Sequence, residues 1–229
     1  MIAAPIHLLG ERLMLDPAGA LWWPARRILA AADLHLEKGS ALAARGSLVP
    51  PYDTRVTLER LTRLVRLYRP ARLLLLGDSF HDAKAASRLG AADREALAKL
   101  ARLTTLIRLA GNHDDGDGAA RELREGPLVF RHLPRGESGE VAGHLHPKAA
   151  VAVRGAWIAR PCFVADARHL LLPAFGAYAG GLDVRDPAIR GLFPYGGRLF
   201  LCGKTRLFSF PLAAAGPLSE ASGEAMSRI

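Results

Sequence analysis

Six of the eight histidines in this 229-residue chain stand in or near short polar clusters with aspartate, asparagine and glycine. In order these are Asp33-Leu34-His35, Gly77-Asp78-Ser79-Phe80-His81-Asp82, Gly111-Asn112-His113-Asp114, an isolated His132 in FRHLP, and Gly143-His144-Leu145-His146-Pro147. Any one of them is weak evidence, because a surface histidine near an aspartate is commonly just solvated. The ordered set is far harder to obtain by chance. Carboxylate, imidazole and amide oxygen together make a donor set of intermediate hardness, suited to manganese, iron, zinc or cobalt. Magnesium alone prefers oxygens and water, and structural zinc prefers thiolates. One central carboxylate can bridge two such ions at about 3.5–4 Å, and a hydroxide between them hydrolyses phosphate esters by in-line displacement. His7 and His169 lie outside every cluster and read as structural.

Such residues meet only if the elements between them bring distant segments together. Apolar runs at 27–32, 71–76 and 104–110 lead into Asp33, Gly77-Asp78 and Gly111-Asn112. Each has the length of a strand that is buried on both faces. Between them, Leu58, Leu61, Leu64, Val65 and Tyr68 share one face at helical spacing from Asp53 to Tyr68. Asp53 reads as its N-cap and Pro70 as its stop, and a second helix is expected over 91–103. Strand, helix, strand, helix, strand implies right-handed crossovers and a mostly parallel sheet, whose ligands collect beyond the carboxyl ends of the strands. Asp33, Asp78 and Asn112 sit just past such ends. After residue 125, short segments at 127–131, 139–143, 149–153, 156–164, 168–172 and 198–202 read as a more antiparallel layer. The expectation is a two-sheet sandwich flanked by helices, as one domain over 1–210 with a poorly ordered tail over 211–229. A boundary near residue 125 is the alternative, and the histidines would then reach across it.

Half the residues are apolar and 23% are charged, which excludes disordered and fibrous classes. Cys162 and Cys202 show no CxxC spacing, and no window is long and apolar enough to span a membrane. A reducing cytoplasm and no membrane association are expected. There are 31 basic and 22 acidic residues, a formal charge of +9, and only Lys38, Lys84, Lys99, Lys148 and Lys204 are lysines. An arginine excess suits an anionic, phosphate-bearing partner, although coding bias alone produces the same preference for arginine. The inferred site collects Asp33, Asp78, Asp82, Asp114, Asp115 and Asp117, leaving the remaining surface more basic than the average.

The series D-x-H, G-D-x-x-H, G-N-H-D, a lone His and G-H-x-H, over residues 33 to 147, resembles the calcineurin-like metallophosphoesterases. LLLLGDSFHD, GHLHP and LLPAFGAYAGGLDV add a narrower resemblance to the bacterial ligase-associated phosphoesterases, encoded beside a DNA ligase, a helicase and an exonuclease-like protein. The resemblance implies a four-layered α/β/β/α sandwich with two mixed central sheets and a dinuclear centre. It implies that Asp33, His35, Asp78 and His146 hold a first divalent ion, with Asp78 bridging. Asn112, His132 and His144 would complete the second, manganese being the first expectation for both. His113 would be the general acid, oriented by Asp114. His132 stands a short 12 residues before His144, but no other histidine lies between 113 and 144. His81 and Tyr178 are substrate-facing candidates; a supporting role for His81 and a tight turn around Tyr178 are the alternatives.

The expected activity is hydrolysis of phosphodiester bonds in nucleic acid or nucleotides, including endonuclease action on DNA in a repair context. No insertion between Asp33 and His146 is large enough to cap the site. Two readings compete with this one. One is a small-molecule nucleotide or lipid-pyrophosphate hydrolase. The other is a nucleic-acid-binding scaffold with a vestigial metal site.

Overall fold

A meander of short strands precedes the parallel part of the molecule. The computed structural model describes residues 2–47, 49–112 and 119–219. β1 (Ala4–Leu8), β2 (Glu11–Leu15), β3 (Leu21–Trp23) and β4 (Ile28–Ala31) pair antiparallel in sequence order. β5 (Arg72–Leu76) and β6 (Thr105–Leu109) then add in parallel, and each crossover carries helices. α1 (Lys38–Ala44) and α2 (Asp53–Tyr68) lie between β4 and β5, α3 (Ala85–Arg88) and α4 (Ala91–Leu103) between β5 and β6.

Uninterrupted apolar strands are explained by what lies on their two faces. Ile28, Ala30, Leu74, Leu76 and Leu109 enter a core between the sheets. The alternate residues Leu29, Ala31, Leu73 and Leu75 enter a second core under α2 and α4. α2 covers it with Leu58, Leu61, Leu64 and Val65, each worth about 1.5–3 kcal/mol of burial. The helix ends at Arg69, whose left-handed backbone (φ 47°) donates to the Val65 carbonyl, and Pro70 then prevents continuation. Asp53 is not the N-cap: Tyr52 takes that position, and the Asp53 carboxylate instead accepts from the Gly39 backbone N–H at 2.9 Å.

The second sheet is also mixed. Its strands are β7 (Glu122–Glu125), β8 (Leu128–Arg131), β9 (Glu140–Ala142), β10 (Pro147–Val153), β11 (Ala156–Ala165), β12 (His169–Leu171), β13 (Leu182–Asp183), β14 (Arg198–Cys202) and β15 (Leu207–Pro211). The order is β13-β10-β11-β12-β9-β8-β7, with β14 joining β11 and β15 joining β14. Phe130, Val141, Phe163, Leu170 and Phe200 meet the first sheet in the shared core. The two sheets therefore pack through one interior rather than separating near residue 125. The outer face of the second sheet, with Ala149, Val151, Cys162 and Val164, is covered by Val184, Ile189, Phe193 and Leu212. That fourth layer is thin. Its α-helix is the single turn α5 (Pro187–Arg190), capped by the Asp186 carboxylate, which accepts from the Ala188 N–H.

The segment expected as a loose tail from residue 211 begins inside β15, and Leu212 is fully buried. Gly216 donates to the Ala150 carbonyl, so apolar anchoring and backbone pairing continue past the expected boundary. Residues 220–229 lie outside the described residues.

Candidate metal centre

The clusters singled out in the sequence converge at one end of the inter-sheet core. Asp33 and His35 follow β4, Asp78 follows β5, Asn112 follows β6, His132 follows β8, and His144 and His146 lie between β9 and β10. Most adopt a backbone that L-residues avoid. Among the described residues, non-glycine φ values are positive at ten positions. Arg27 and Arg69 end helices, and Leu9 and Arg154 sit in hairpin turns. The other six are Asp33, His35, Glu37, Asp78, His144 and His146. Such conformations cost about 1–3 kcal/mol each and persist only where surrounding contacts enforce them. Here Leu34 and Leu36 anchor the alternate positions in the core. The backbone of 33–36 continues the pairing with 77–81 through His35 N–H to the Asp78 carbonyl and Leu36 N–H to the Ser79 carbonyl.

Two glycines of the motifs let the segments close up. A Cβ on Gly111 would overlap the carboxylate and backbone nitrogen of Asp78. One on Gly143 would stand 2.6 Å from the Asp33 carboxylate. His144 then donates its backbone N–H to Asp33 Oδ2 at 2.9 Å.

The side chains form two adjoining triads. Donor atoms of Asp33, His35 and His146 lie within 4.8 Å of one another, as do those of Asp78, His132 and His144. Asn112 Oδ1 joins the second triad, 2.9 Å from His132 Nε2. Asp78 Oδ2 stands between the groups, 3.4 Å from His132 Nε2 and 3.9 Å from His35 Nε2.

Hydrogen bonding leaves part of this cluster unsatisfied. Asp33 Oδ1 is fully buried, accepts no hydrogen bond, and lies 3.3 Å from His146 Nε2. His35 Nε2 and His146 Nε2 are also 3.3 Å apart. His132 Nδ1 lies 2.9 Å from the Leu76 carbonyl, which fixes the proton there and leaves Nε2 as a lone pair facing His144 Nδ1 at 3.1 Å. Converging acceptors of this kind call for cations. Donors bonded at about 2.1 Å to one ion stand roughly 3.0–3.4 Å apart, which matches these spacings. The residues present therefore fit two divalent ions.

The titration of the imidazoles agrees. Burial pushes His35 down to about 4, and burial together with His132 lowers His144, so both offer neutral nitrogens at pH 7. Burial opposes charge on His132 as well. The hydrogen bond to Asp78 and the charge of Asp33 outweigh it and raise its pKa.

The remaining candidates separate. The His81 ring packs edge-on to His35 with centroids 5.6 Å apart, against the first triad. Tyr178 donates its hydroxyl to the Pro50 carbonyl at 2.6 Å, tying the 176–181 turn to the segment before α2. Asp82 does not face the triads. It accepts two hydrogen bonds from Arg88 at 3.0 and 2.8 Å and is neutralised there. His113 and Asp114 lie outside the described residues, as do Asp115 and Asp117.

Sequence reasoning missed a buried brace behind the first triad. Glu37 accepts from the hydroxyls of Thr54 at 3.0 Å and Ser40 at 2.7 Å, and Arg88 Nε donates to the same Ser40. Its signal was the alternation Asp33, His35, Glu37, which places the glutamate in step with two ligands. Arg131 was also missed. It is buried beside His132 and binds Glu140, Glu122 and Glu137 at 2.8–3.0 Å.

No protein-family model and no curated protein sequence matches the chain. Among solved structures it is similar to the nuclease MPE of Pseudomonas putida, with 28% identity and a TM-score of 0.68. The match covers 91% of this chain and 100% of that one.

Proposed function

We propose that this protein is a two-metal phosphodiesterase that cleaves nucleic acid, with nuclease action on DNA in a repair setting as its role. The observation that carries the reading is the pair of triads meeting at Asp78, the arrangement of a bridged dinuclear centre. Similarity to a nuclease at 28% identity over nearly the whole chain supports the substrate class, and the +9 charge suits a polyanion. The repair setting, with a ligase, a helicase and an exonuclease-like protein as partners, rests on the family resemblance alone.

The residues divide the work. Asp33, His35 and His146 would hold one ion, and His132, His144 and Asn112 the other, with Asp78 shared. When bound, two divalent ions, manganese first among candidates, supply Lewis acidity and make water a nucleophile near neutral pH. The Leu76 carbonyl holds the His132 tautomer, and the His144 N–H holds Asp33, so these ligands are fixed before substrate arrives. His113, directly after Asn112, would protonate the leaving oxygen with Asp114 orienting it. His81, against His35, would contact the bound phosphate from the side of the first triad.

Lipid-pyrophosphate hydrolysis has less support. The apolar side of α2 is buried on the sheet, and no helix among the described residues is long and apolar enough to cross a membrane.

The test is turnover with added manganese of bis(p-nitrophenyl) phosphate, a single-stranded oligonucleotide and a nucleoside-diphosphate lipid. Cleavage of the first two is expected. Turnover of the lipid alone would overturn the substrate class, and less than one metal per chain with no activity would favour the scaffold. His113→Ala should slow cleavage most for poor leaving groups while metal stays bound.

A further inference from the structure

Beside the first triad lies a cleft of about 490 Å³ whose wall includes the ligand His146. Among the described residues, Arg60, Lys148, Arg160 and Lys204 also line it, and no carboxylate does. Elsewhere arginines such as Arg72 with Glu125 and Arg88 with Asp82 stand in ion pairs, whereas the four cations of this cleft share its wall with no acid among the described residues.

Arg60 is the best held of the four. Its guanidinium lies over the Phe175 ring, 4.2 Å from the centroid, and Nη2 donates to the Phe175 carbonyl. Its Nε is buried and has no acceptor. Stacking and the carbonyl orient the group without neutralising it, so its full charge remains for a ligand. Guanidinium and ammonium groups recognise phosphate oxygens, the arginine fork bidentately.

The rest of the wall decides which phosphate compound fits. Gly176, Gly180 and Gly181 present backbone rather than side chains there, which permits close approach of a chain. Among the described residues no Phe, Tyr or Trp side chain lines the cleft, so it offers no large aromatic platform on which a base could stack. The opposite rim is rigid. Asp16, just before Pro17 and Ala18 of that rim, accepts from the Ala18 N–H at 2.8 Å and the Tyr68 hydroxyl at 2.6 Å.

We propose that this cleft is a second phosphate-binding site that holds the sugar-phosphate backbone of a single nucleic-acid strand flanking the bond to be cut. Recognition through Arg60, Lys148, Arg160 and Lys204 is then indifferent to base sequence. The proposal rests on the nucleic-acid reading given above, and it adds where the strand runs and how it is read.

The test uses the full-length protein with chelator, so that nothing is cleaved, and a fluorescein-labelled 12-mer single strand read by anisotropy. Arg160→Glu with Lys204→Glu is compared with Arg63→Glu with Arg66→Glu, two exposed cations on α2 away from the cleft that change net charge equally. The cleft pair should weaken binding at least tenfold more than the α2 pair. It should also reduce the slope of log affinity against log salt by about 1.4, two phosphates at roughly 0.7 each. Oligonucleotides of different base sequence should lose affinity alike. Equal weakening by both pairs, or none by the cleft pair, overturns the proposal. Turnover of bis(p-nitrophenyl) phosphate with manganese separates it from the parent reading. Turnover by a protein that binds no 12-mer sinks the cleft and leaves the hydrolase. Cleft-dependent binding without any turnover sinks the hydrolase and leaves the cleft.

Discussion

Replacing Asp33 by asparagine should stabilise the metal-free protein and destabilise it relative to wild type once metal is added. Asp33 is completely buried, and the backbone N–H of His144 satisfies Oδ2 at 2.9 Å. Oδ1 has no donor, and it faces His146 Nε2 at 3.3 Å. An asparagine that keeps its carbonyl on the His144 N–H would place its NH₂ where Oδ1 stands, turning two facing acceptors into donor and acceptor. The backbone tolerates the change, because φ is 55° and asparagine is among the residues that adopt this region most readily. An unsatisfied buried acceptor costs about 1–3 kcal/mol. In a domain of this size each kcal/mol moves Tm by about 2–4 °C, so the variant should melt about 2–12 °C above wild type in chelator. Measurement at pH 9 disfavours the proton that Asp78 and Asp33 favour on His132. Manganese at a thousandfold over its Kd adds about 4.1 kcal/mol per site. Wild type with two sites should therefore gain about 8 kcal/mol, and Asp33→Asn, with the first triad broken, about half, more than its head start of about 1–3 kcal/mol. Differential scanning calorimetry with and without manganese reads the crossover directly. A variant that melts below wild type in chelator would refute the reasoning, because it would show that the fold itself already compensates the Asp33 charge.

Three further perturbations bear on the supports of the site. Gly111→Ala places a methyl group against the Asp78 carboxylate and backbone, so it should cost about 1–3 kcal/mol. It should also lower the metal content measured after dialysis, and normal metal loading would contradict the close approach. Arg131→Ala leaves Glu140 and Glu122 without their buried cation and should cost about 3–5 kcal/mol in urea denaturation. A loss below about 1 kcal/mol would mean that the network contributes little beside His132. Arg88, through its hydrogen bonds, depresses the pKa of Asp82, so the stability from this partly exposed pair is complete above the usual carboxylate pKa near 4. It is lost as pH falls through the lower folded value. Arg88→Ala should therefore cost more at pH 7 than in acid, by about 1 kcal/mol or less, with the bond to Ser40 lost at any pH, and a loss that does not shrink in acid would exclude this origin.

What the sequence determined is the identity of the converging residues and the strands that end on them. The runs before Asp33 and Asp78 are apolar from Ile28 to Ala32 and from Leu73 to Leu76 because each strand separates two cores, and a buried strand must stop where polar residues begin. The amphipathic spacing of 53–68 likewise fixed α2 without tertiary information. Weakly patterned strands were not legible. β1 contains Pro5, and β7 reads Glu-Leu-Arg-Glu, so pairing within the sheet supplies what local propensity lacks. The continuation past Pro211 was hidden for a similar reason, since burial of Leu212 depends on a face formed by other strands.

The family resemblance already grouped the histidines with their aspartates, and the tertiary structure supplies the physical reason. His146 joins Asp33 rather than Asp78 because β9 and β10 run where the parallel pairing of β9 with β8 and β12 sets them. It also decided that five of the candidate ligands, Asp33, His35, Asp78, His144 and His146, take left-handed backbone, a conformation they do not favour alone and hold only because buried neighbours enforce it. The cationic cleft was invisible for the same physical reason. Arg60, Lys148, Arg160 and Lys204 are scattered along the chain, and only strand register and helix packing place their charges on one wall.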